Sequence, residues 1–418
     1  MRILIISNYY PPAEIGGWEQ LTSDVANELR RRGHEVCILT SNYQANLAEG
    51  EEKNVYRALY LESADPLRYH PQFTLLRSWQ ERQNDKSIAD RVKHFGPQIV
   101  FINGMWNLPY TVARKAEQLC PGRVVYYLAS YWPTEIDAHT AYWTHTSTRS
   151  WRRFPKKVMG AFVRRMLLSG EPRNCLDFSQ VLCVSTFVQD YLVREAGIPK
   201  ERTQVVHNGV EIDLFRSPSR APSRILRLLY AGRLSPDKGA HTLVESLAIL
   251  RSEAPDLPLE VSIYGKGVPE YESHMKAIAA AHQFESWLQF KGSVPREHMP
   301  QVFAEHDVLI FPSIWPEPLA RVVQEAMACG LVVIGTTTGG TPELLQDGEN
   351  GLTFTAEDAQ QLATKINLVA KDHNLRSRLA AAARQTVEQH FTLRHMVDQI
   401  EGIFTQIVAR TEGTVGQA

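Results

Sequence analysis

Three short clusters in this sequence hold residue types suited to an anionic, hydroxyl-rich ligand. The first is Gly232-Arg233-Leu234-Ser235-Pro236-Asp237-Lys238-Gly239, directly after the apolar run Leu226 to Ala231. A strand end, a tight turn and a helix start bring two cations and free helix amides to one place. A helix N-terminus stabilises an anion by about 0.3–1 kcal/mol, and Arg and Lys hydrogen bonds add more. The competing reading is a surface turn with solvated cations; glycine at both ends of a strand-to-helix connection argues against it.

The second cluster runs from Pro316 to Gly330 and carries two carboxylates eight positions apart. Glu317 sits in a proline-bounded loop with Pro318, Leu319, Ala320 and Arg321 behind it, and Glu325 lies two turns into the following helix. A loop carboxylate can accept sugar hydroxyls, and a helix carboxylate flanked by small alanines can accept a ribose diol, one hydroxyl per oxygen. The alternative for Glu325 is an i, i+4 ion pair with Arg321 on an exposed face, worth about 0.3–0.5 kcal/mol. Alone, this pair decides nothing. The third signal is two glycine pairs: Gly16-Gly17, and Gly339-Gly340 behind Thr336, Thr337 and Thr338, followed by Pro342 as a first-turn helix residue. Such pairs let backbone amides approach a phosphate, although singly each is more often just a turn.

Absences narrow the chemistry. There is neither a Gly-x-Gly-x-x-Gly fingerprint nor a Gly-Lys-Ser/Thr phosphate loop. No Asp-x-Asp occurs, and its nearest substitutes, Glu135-Ile136-Asp137 and Glu211-Ile212-Asp213, are weak. No metal or other cofactor is therefore expected; Arg233 and Lys238 can do a metal's electrostatic work on a diphosphate. His139, His145 and His207 are isolated and read as structural. Lys plus Arg total 45 against 46 acids, a net charge of −1, which excludes a generally cationic nucleic-acid binder. Five scattered cysteines without Cys-x-x-Cys spacing imply neither disulfides nor zinc and fit a reducing compartment. No run of about 18 apolar residues occurs, and the start lacks a secretory h-region and cleavage site, so a cytoplasmic protein is expected.

At about 100–200 residues per domain, 418 residues suggest two or three domains. Short apolar runs alternate with amphipathic stretches, the pattern of βαβ units around parallel sheets. Strands are expected at Arg2–Ser7, Glu35–Thr40, Gln98–Ile102, Val124–Leu128 and Gln180–Val184, with a helix carrying Trp18, Leu21, Val25 and Leu29 on one face and ended by Gly33. After a linker-like Ser217–Ser223, the alternation restarts with strands Leu226–Ala231, Leu259–Tyr264, Val308–Phe311 and Val332–Gly335. Helices are expected from Gly239, Glu270 and Leu319, and across Ala356–Gln389. The stretch 131–178 breaks this rhythm with aromatics and with eight Arg and Lys residues against Glu171 alone between Arg149 and Arg173. A packed helix with a solvated basic face and attachment to an anionic membrane surface or acceptor suit it about equally. Two similar halves place the expected site between them, where open α/β sheets point their carboxyl strand ends.

The ensemble resembles the GT-B-fold retaining glycosyltransferases of family 4. The matching residues are Tyr10-Pro11-Pro12 with Gly16-Gly17, Arg32-Gly33-His34-Glu35-Val36, Asn208-Gly209-Val210, Gly232 to Gly239, and Glu317/Glu325 with Glu325-Ala326-Met327-Ala328-Cys329-Gly330. Gly339-Gly340-Thr341-Pro342-Glu343 and Asp347-Gly348-Glu349-Asn350-Gly351 complete them. The resemblance implies two Rossmann-like doubly wound domains facing a cleft: an acceptor-side domain at 1–210 and a nucleotide-sugar domain at 225–390. A final helix at about 391–409 returns to the first.

By the same resemblance, Arg233 and Lys238 bind the donor diphosphate and Glu325 holds the ribose. Glu317 contacts hydroxyls of the transferred sugar, assisted by amides of Pro318 to Arg321, while Gly16-Gly17 closes over the diphosphate. Two residue pairs depart from the family pattern. Leu319-Ala320 stand where Phe-Gly is usual, and Ala129-Ser130 replace a His-Asp pair whose His usually touches the donor sugar. The expected activity is metal-independent, retaining transfer of a hexose from a nucleoside diphosphate sugar to a hydroxyl of a glycolipid, polysaccharide or small-molecule acceptor. Two other readings suit the same residues: a nucleotide-sugar epimerase, and an inactive nucleotide-sugar-binding scaffold prompted by Ala129 and the basic aromatic stretch.

Overall fold

The computed structural model describes residues 1–13, 16–47, 53–63, 72–135, 138, 141, 176–216 and 224–415. The basic stretch Arg149–Arg173, the linker Ser217–Ser223, and Asp137, His139, His145 and Cys175 lie outside them. The chain divides into two compact units: Met1–Val184, Val188–Val206 and Val397–Ala418 form one, and Ser185–Phe187 with His207–Met396 the other.

The first unit is built on a seven-stranded sheet: β1 (Arg2–Ser7), β2 (Glu35–Ser41), β3 (Val55–Leu59), β4 (Ile99–Asn103), β5 (Val124–Leu128), β6 (Val181–Cys183) and β7 (Thr203–Val205), in the order 3-2-1-4-5-6-7. Every pairing is parallel. Helices cover both faces of such a sheet, so its central strands read as unbroken apolar runs; β4 and β5 are buried at every residue. α1 (Trp18–Arg31) buries Leu21, Val25 and Leu29 and is followed by Gly33 in the left-handed region at φ +85°. α2 (Gln72–Phe95), α3 (Tyr110–Leu119) and α4 (Thr186–Glu195) follow.

The second unit holds six parallel strands, β8 (Leu226–Ala231), β9 (Leu259–Tyr264), β10 (Leu288–Gly292), β11 (Val308–Phe311), β12 (Val332–Thr336) and β13 (Leu352–Phe354), in the order 10-9-8-11-12-13. Its helices are α5 (Ala240–Glu253), α6 (Pro269–Ala281), α7 (Met299–Ala304), α8 (Arg321–Ala328), α9 (Ala359–Lys371) and α10 (His373–His390). The strand order reverses between β1 and β4 in one sheet and between β8 and β11 in the other. These are the positions where doubly wound sheets open a crevice at their carboxyl edges.

The last helix, α11 (Leu393–Val415), passes from the second unit into the first at Val397. Phe404 packs edge-on against Phe101 of β4 at 5.2 Å. Arg32 holds Glu28, Asp398 and Glu401 at 2.8, 2.7 and 2.8 Å, and His34 Nε2 lies 2.8 Å from Glu401. The Arg-Gly-His sequence at 32–34 is thus an anchor for α11. Hydrogen bonds from Arg32, then His34, hold the Glu401 carboxyl below its ordinary value.

Four sequence expectations need correction. The sheets gain β3, β7, β10 and β13, all edge strands. α2, α3, α4 and α7 lie outside the helices expected from the sequence. α8 begins at Arg321, leaving Leu319 and Ala320 in the loop, with Ala320 as its N-cap. Pro342 opens only a 3-10 turn, Thr341–Glu343.

Candidate active site

The loops after β8 and β11 flank the strand reversal of the second sheet, and both are pinned by their backbones. After β8 the chain makes a 3-10 turn, Pro236–Lys238, and enters α5 through Gly239 at φ +68°. A Cβ on Gly239 would lie 2.0 Å from the Pro312 carbonyl oxygen at the end of β11. The two loops therefore touch only because this residue is glycine. Ile314 and Trp315 amides both donate to the Asp237 carbonyl at 2.9 Å, closing the contact. The β11 loop is fixed in turn by Thr336 and Thr338, whose hydroxyls donate to the Ser313 carbonyl at 2.7 and 3.2 Å.

This arrangement brings Lys238 and Glu317 together. Lys238 Nζ donates to Glu317 Oε1 at 2.5 Å, and Ser313 Oγ donates to the same oxygen at 3.2 Å. Both charged side chains are largely covered, at 17% and 19% exposure. Arg233 is exposed, and no carboxylate among the described residues pairs with it. Its carbonyl accepts the Tyr230 hydroxyl at 2.7 Å, which holds the loop backbone. The cations thus differ: Arg233 is open to an incoming anion, whereas Lys238 already has one.

Glu325 is buried in α8, so the exposed face considered from the sequence is not where it lies. The Arg321 pair is present at 3.2 Å, and a second guanidinium, Arg296, donates to the same Oε1 at 2.8 Å. Arg296 escaped the sequence reading because it lies in a 3-10 turn, Arg296–His298, outside every motif. Gly265-Lys266-Gly267 was also missed. A Cβ at Gly265 or Gly267 would meet the Gly232 or Leu234 carbonyl at 1.8 Å, so these glycines let the β9 loop lie against the Arg233 loop. Two glycines directly after an apolar strand were the available signal.

No side chain caps α5 or α8. Their first-turn amides carry the partial positive charge of a helix N-terminus. The glycine pairs are partly spent internally. Gly340 N–H donates to the Glu317 carbonyl at 2.8 Å, and a Cβ at Gly339 would sit 2.1 Å from that oxygen, so this pair shapes the Glu317 loop. Gly16 N–H donates to Glu19 Oε2 at 3.1 Å; Gly16 and Gly17 lie in the first unit, between β1 and α1.

Several other sequence features are structural. Asn208 Nδ2 donates to Gln324 Oε1 at 3.0 Å and Gln324 Nε2 donates to the Asn208 backbone carbonyl at 2.6 Å, tying the Asn-Gly-Val segment to α8. His207 meets Glu343 at 2.8 Å; burial pushes that carboxyl up, but His207 and the Thr186 and Phe187 amides outweigh it and hold it below its ordinary value. Asp213 pairs with Arg216, and burial pushes the Glu135 carboxyl up. Among the described residues no three His, Cys, Asp or Glu side chains gather around one point, and no helix is long and apolar enough to cross a membrane.

The model named Glycosyltransferase Family 4 matches residues 15–214, and that named Glycosyl transferases group 1 matches residues 211–386. The chain belongs to the GT-B glycosyltransferases. Among curated relatives, spore coat protein SA of Bacillus subtilis is 27% identical over 265 residues, covering 58% of this chain and 69% of its own. A solved glycosyltransferase from Rickettsia africae has the same fold, with a TM-score of 0.73 at 20% identity, 97% of this chain and 98% of that one being covered. Anabaena Alr3699/HepE, solved in complex with UDP, gives a TM-score of 0.70 at 21% identity over 97% and 100% of the two chains. The two-domain doubly wound architecture read from the sequence is thus the GT-B fold.

Proposed function

We propose that this GT-B glycosyltransferase moves a hexose from a nucleoside diphosphate sugar to an acceptor hydroxyl, with retention and without a metal. The observation that carries this is the pairing of Lys238 with Glu317 beside the open Arg233 and the uncapped end of α8. A diphosphate arriving there replaces Glu317 as the partner of Lys238. That exchange frees Glu317 Oε1 to accept hydroxyls of the sugar being transferred. Glu325 presents Oε2 to the ribose while two guanidiniums hold its other oxygen.

In the chemical step the bond between the anomeric carbon and the phosphate oxygen breaks, and the electron pair leaves with the nucleoside diphosphate. The acceptor oxygen bonds to the same face of that carbon, and its proton passes to the departing phosphate. Negative charge on the diphosphate grows as the bond breaks, so Arg233, Lys238 and the helix amides stabilise the transition state more than the bound donor. The relative solved with UDP makes UDP-hexoses the first donors to test. The acceptor is a sugar, lipid-linked or small-molecule hydroxyl, with nucleic acid excluded.

The test is a transfer assay over UDP-, GDP- and ADP-hexoses in excess EDTA, with the product anomer read by proton NMR. Donor-dependent transfer with the anomeric configuration kept is the expected result. Activity that needs added magnesium, or an inverted product, overturns the corresponding part of the reading.

A further inference from the structure

Helix α2 is built inside out over its first half. The side turned into the fold carries Thr74, Gln80 and Asn84, with Ile88 beyond them, all buried. Asn84 lies at 0% exposure and closes two bonds with the Tyr60 backbone, accepting from its N–H at 2.7 Å and donating to its carbonyl at 3.0 Å. The solvent side carries Leu75 at 85% exposure, Leu76 at 44% and Trp79 at 48%. Scattered exposed apolar residues need no explanation, but adjacent ones on a helix whose inner face is polar do. Leu75 is almost wholly outside the packing of the described residues.

The same face then turns cationic. At 100° per residue, Leu75, Trp79, Arg82 and Lys86 fall within one narrow stripe about 17 Å long. Arg82 and Lys86 are exposed, and among the described residues neither pairs with a carboxylate. The neighbouring Glu81 is already bound to Arg77 at 2.8 Å, and the exposed acid Asp90, one turn beyond Lys86, is followed by exposed Lys93. The Trp79 ring stands edge-on to Tyr60 at 5.1 Å, so its orientation is supported from below.

We infer that this face of α2 docks the protein on an anionic lipid surface. Leu75, Leu76 and Trp79 enter the boundary between headgroups and acyl chains while Arg82 and Lys86 meet the headgroup charge. An aliphatic pair with a tryptophan beside free cations fits such a surface, since tryptophan favours the interface and each cation adds about 1 kcal/mol, or roughly fivefold. A protein partner would need a matching pocket and acids. The lipid needs only its charge and its tails.

The test is co-sedimentation of the full chain with vesicles of phosphatidylcholine alone and of equal parts phosphatidylcholine and phosphatidylglycerol. Binding to the mixed vesicles and not to the neutral ones is expected. Arg82→Gln with Lys86→Gln should lower the partition coefficient about 25-fold, from fivefold per cation. Leu75→Ser, at a residue with almost no contacts to lose, should weaken binding with an unchanged thermal melt, and Leu75→Ser with Trp79→Ser should abolish it. The inference falls if the wild type binds neither vesicle or if both double variants bind as it does. It also falls if sedimentation velocity shows a dimer that Leu75→Ser dissolves, which would give the face to a second copy of the chain.

Discussion

Replacing Lys238 by methionine separates the catalytic role proposed for the ammonium from its structural one. Methionine keeps most of the aliphatic stem and removes the charge. Among the described residues Glu317 then keeps only the Ser313 hydroxyl at 3.2 Å, in a site where both partners are more than four-fifths covered. That cost lies between an exposed pair, at most about 1 kcal/mol, and a buried pair, 3–5 kcal/mol, so about 1–2 kcal/mol is expected. At roughly 2–4 °C per kcal/mol the melting temperature falls by about 2–8 °C, leaving the protein folded at assay temperature. The transition state loses a charge-assisted bond to the leaving diphosphate, worth about 10²–10³ in kcat by analogy with a removed oxyanion donor. The assay is initial-rate release of nucleoside diphosphate at saturating donor, beside a thermal melt of the same sample. A folded variant whose kcat falls less than about tenfold, under 1.4 kcal/mol, would refute the assignment of Lys238 to the leaving group.

Three further outcomes follow from the same geometry. Arg296→Ala removes one of the two guanidiniums on Glu325 Oε1; donor KM should rise about 10–100-fold, from 1.5–3 kcal/mol for a bond to a charged group, with kcat little changed and Arg296→Lys recovering part of it. A fall confined to kcat would contradict a role in holding the donor. Gly239→Ala places a methyl 2.0 Å from the Pro312 carbonyl in a left-handed conformation, so it should cost more than the 1–2 kcal/mol of the backbone alone and depress kcat by moving Lys238; a melt unchanged from wild type would count against the pinned loops. Glu401→Gln should destabilise the first unit at neutral pH. Because its folded value is depressed, the stabilisation is present above the ordinary carboxylate range near 4.3 and is lost as pH falls through the folded value, so melts of wild type and variant should converge in acid.

What could be read from the residues follows the physics of each element. β1, β4, β5, β8, β11 and β12 are covered on both faces, and their apolar runs announced them. β3 (Val-Tyr-Arg-Ala-Leu), β7 (Thr-Gln-Val) and β10 (Leu-Gln-Phe-Lys-Gly) are half-exposed edge strands, and with the three-residue β13 they are too short or too mixed to stand out. α2 escaped because a helix with Asn84 inside and Leu75 outside inverts the pattern that reveals helices. Among the candidate site residues, Arg233, Lys238, Glu317 and Glu325 stand in motifs that the sequence displays. The union of Lys238 with Glu317 depends on two loops 79 positions apart touching at Gly239, and the hold of Arg296 on Glu325 spans 29 positions with no motif between them. Neither contact is local, so neither was legible in the sequence.

The passage of α11 into the first unit bears on how the chain is made. During synthesis the first unit waits for Val397 and the residues after it, including Phe404 and Glu401, while the 190 residues from His207 to Met396 emerge. At about 5–20 residues per second that wait is roughly 10–40 s. Through it, the β4 side chain Phe101 lacks Phe404, and Arg32 and His34 lack Glu401. The second unit, whose residues are nearly consecutive, can finish first, so the ribosome is expected to deliver the later half folded before the earlier one.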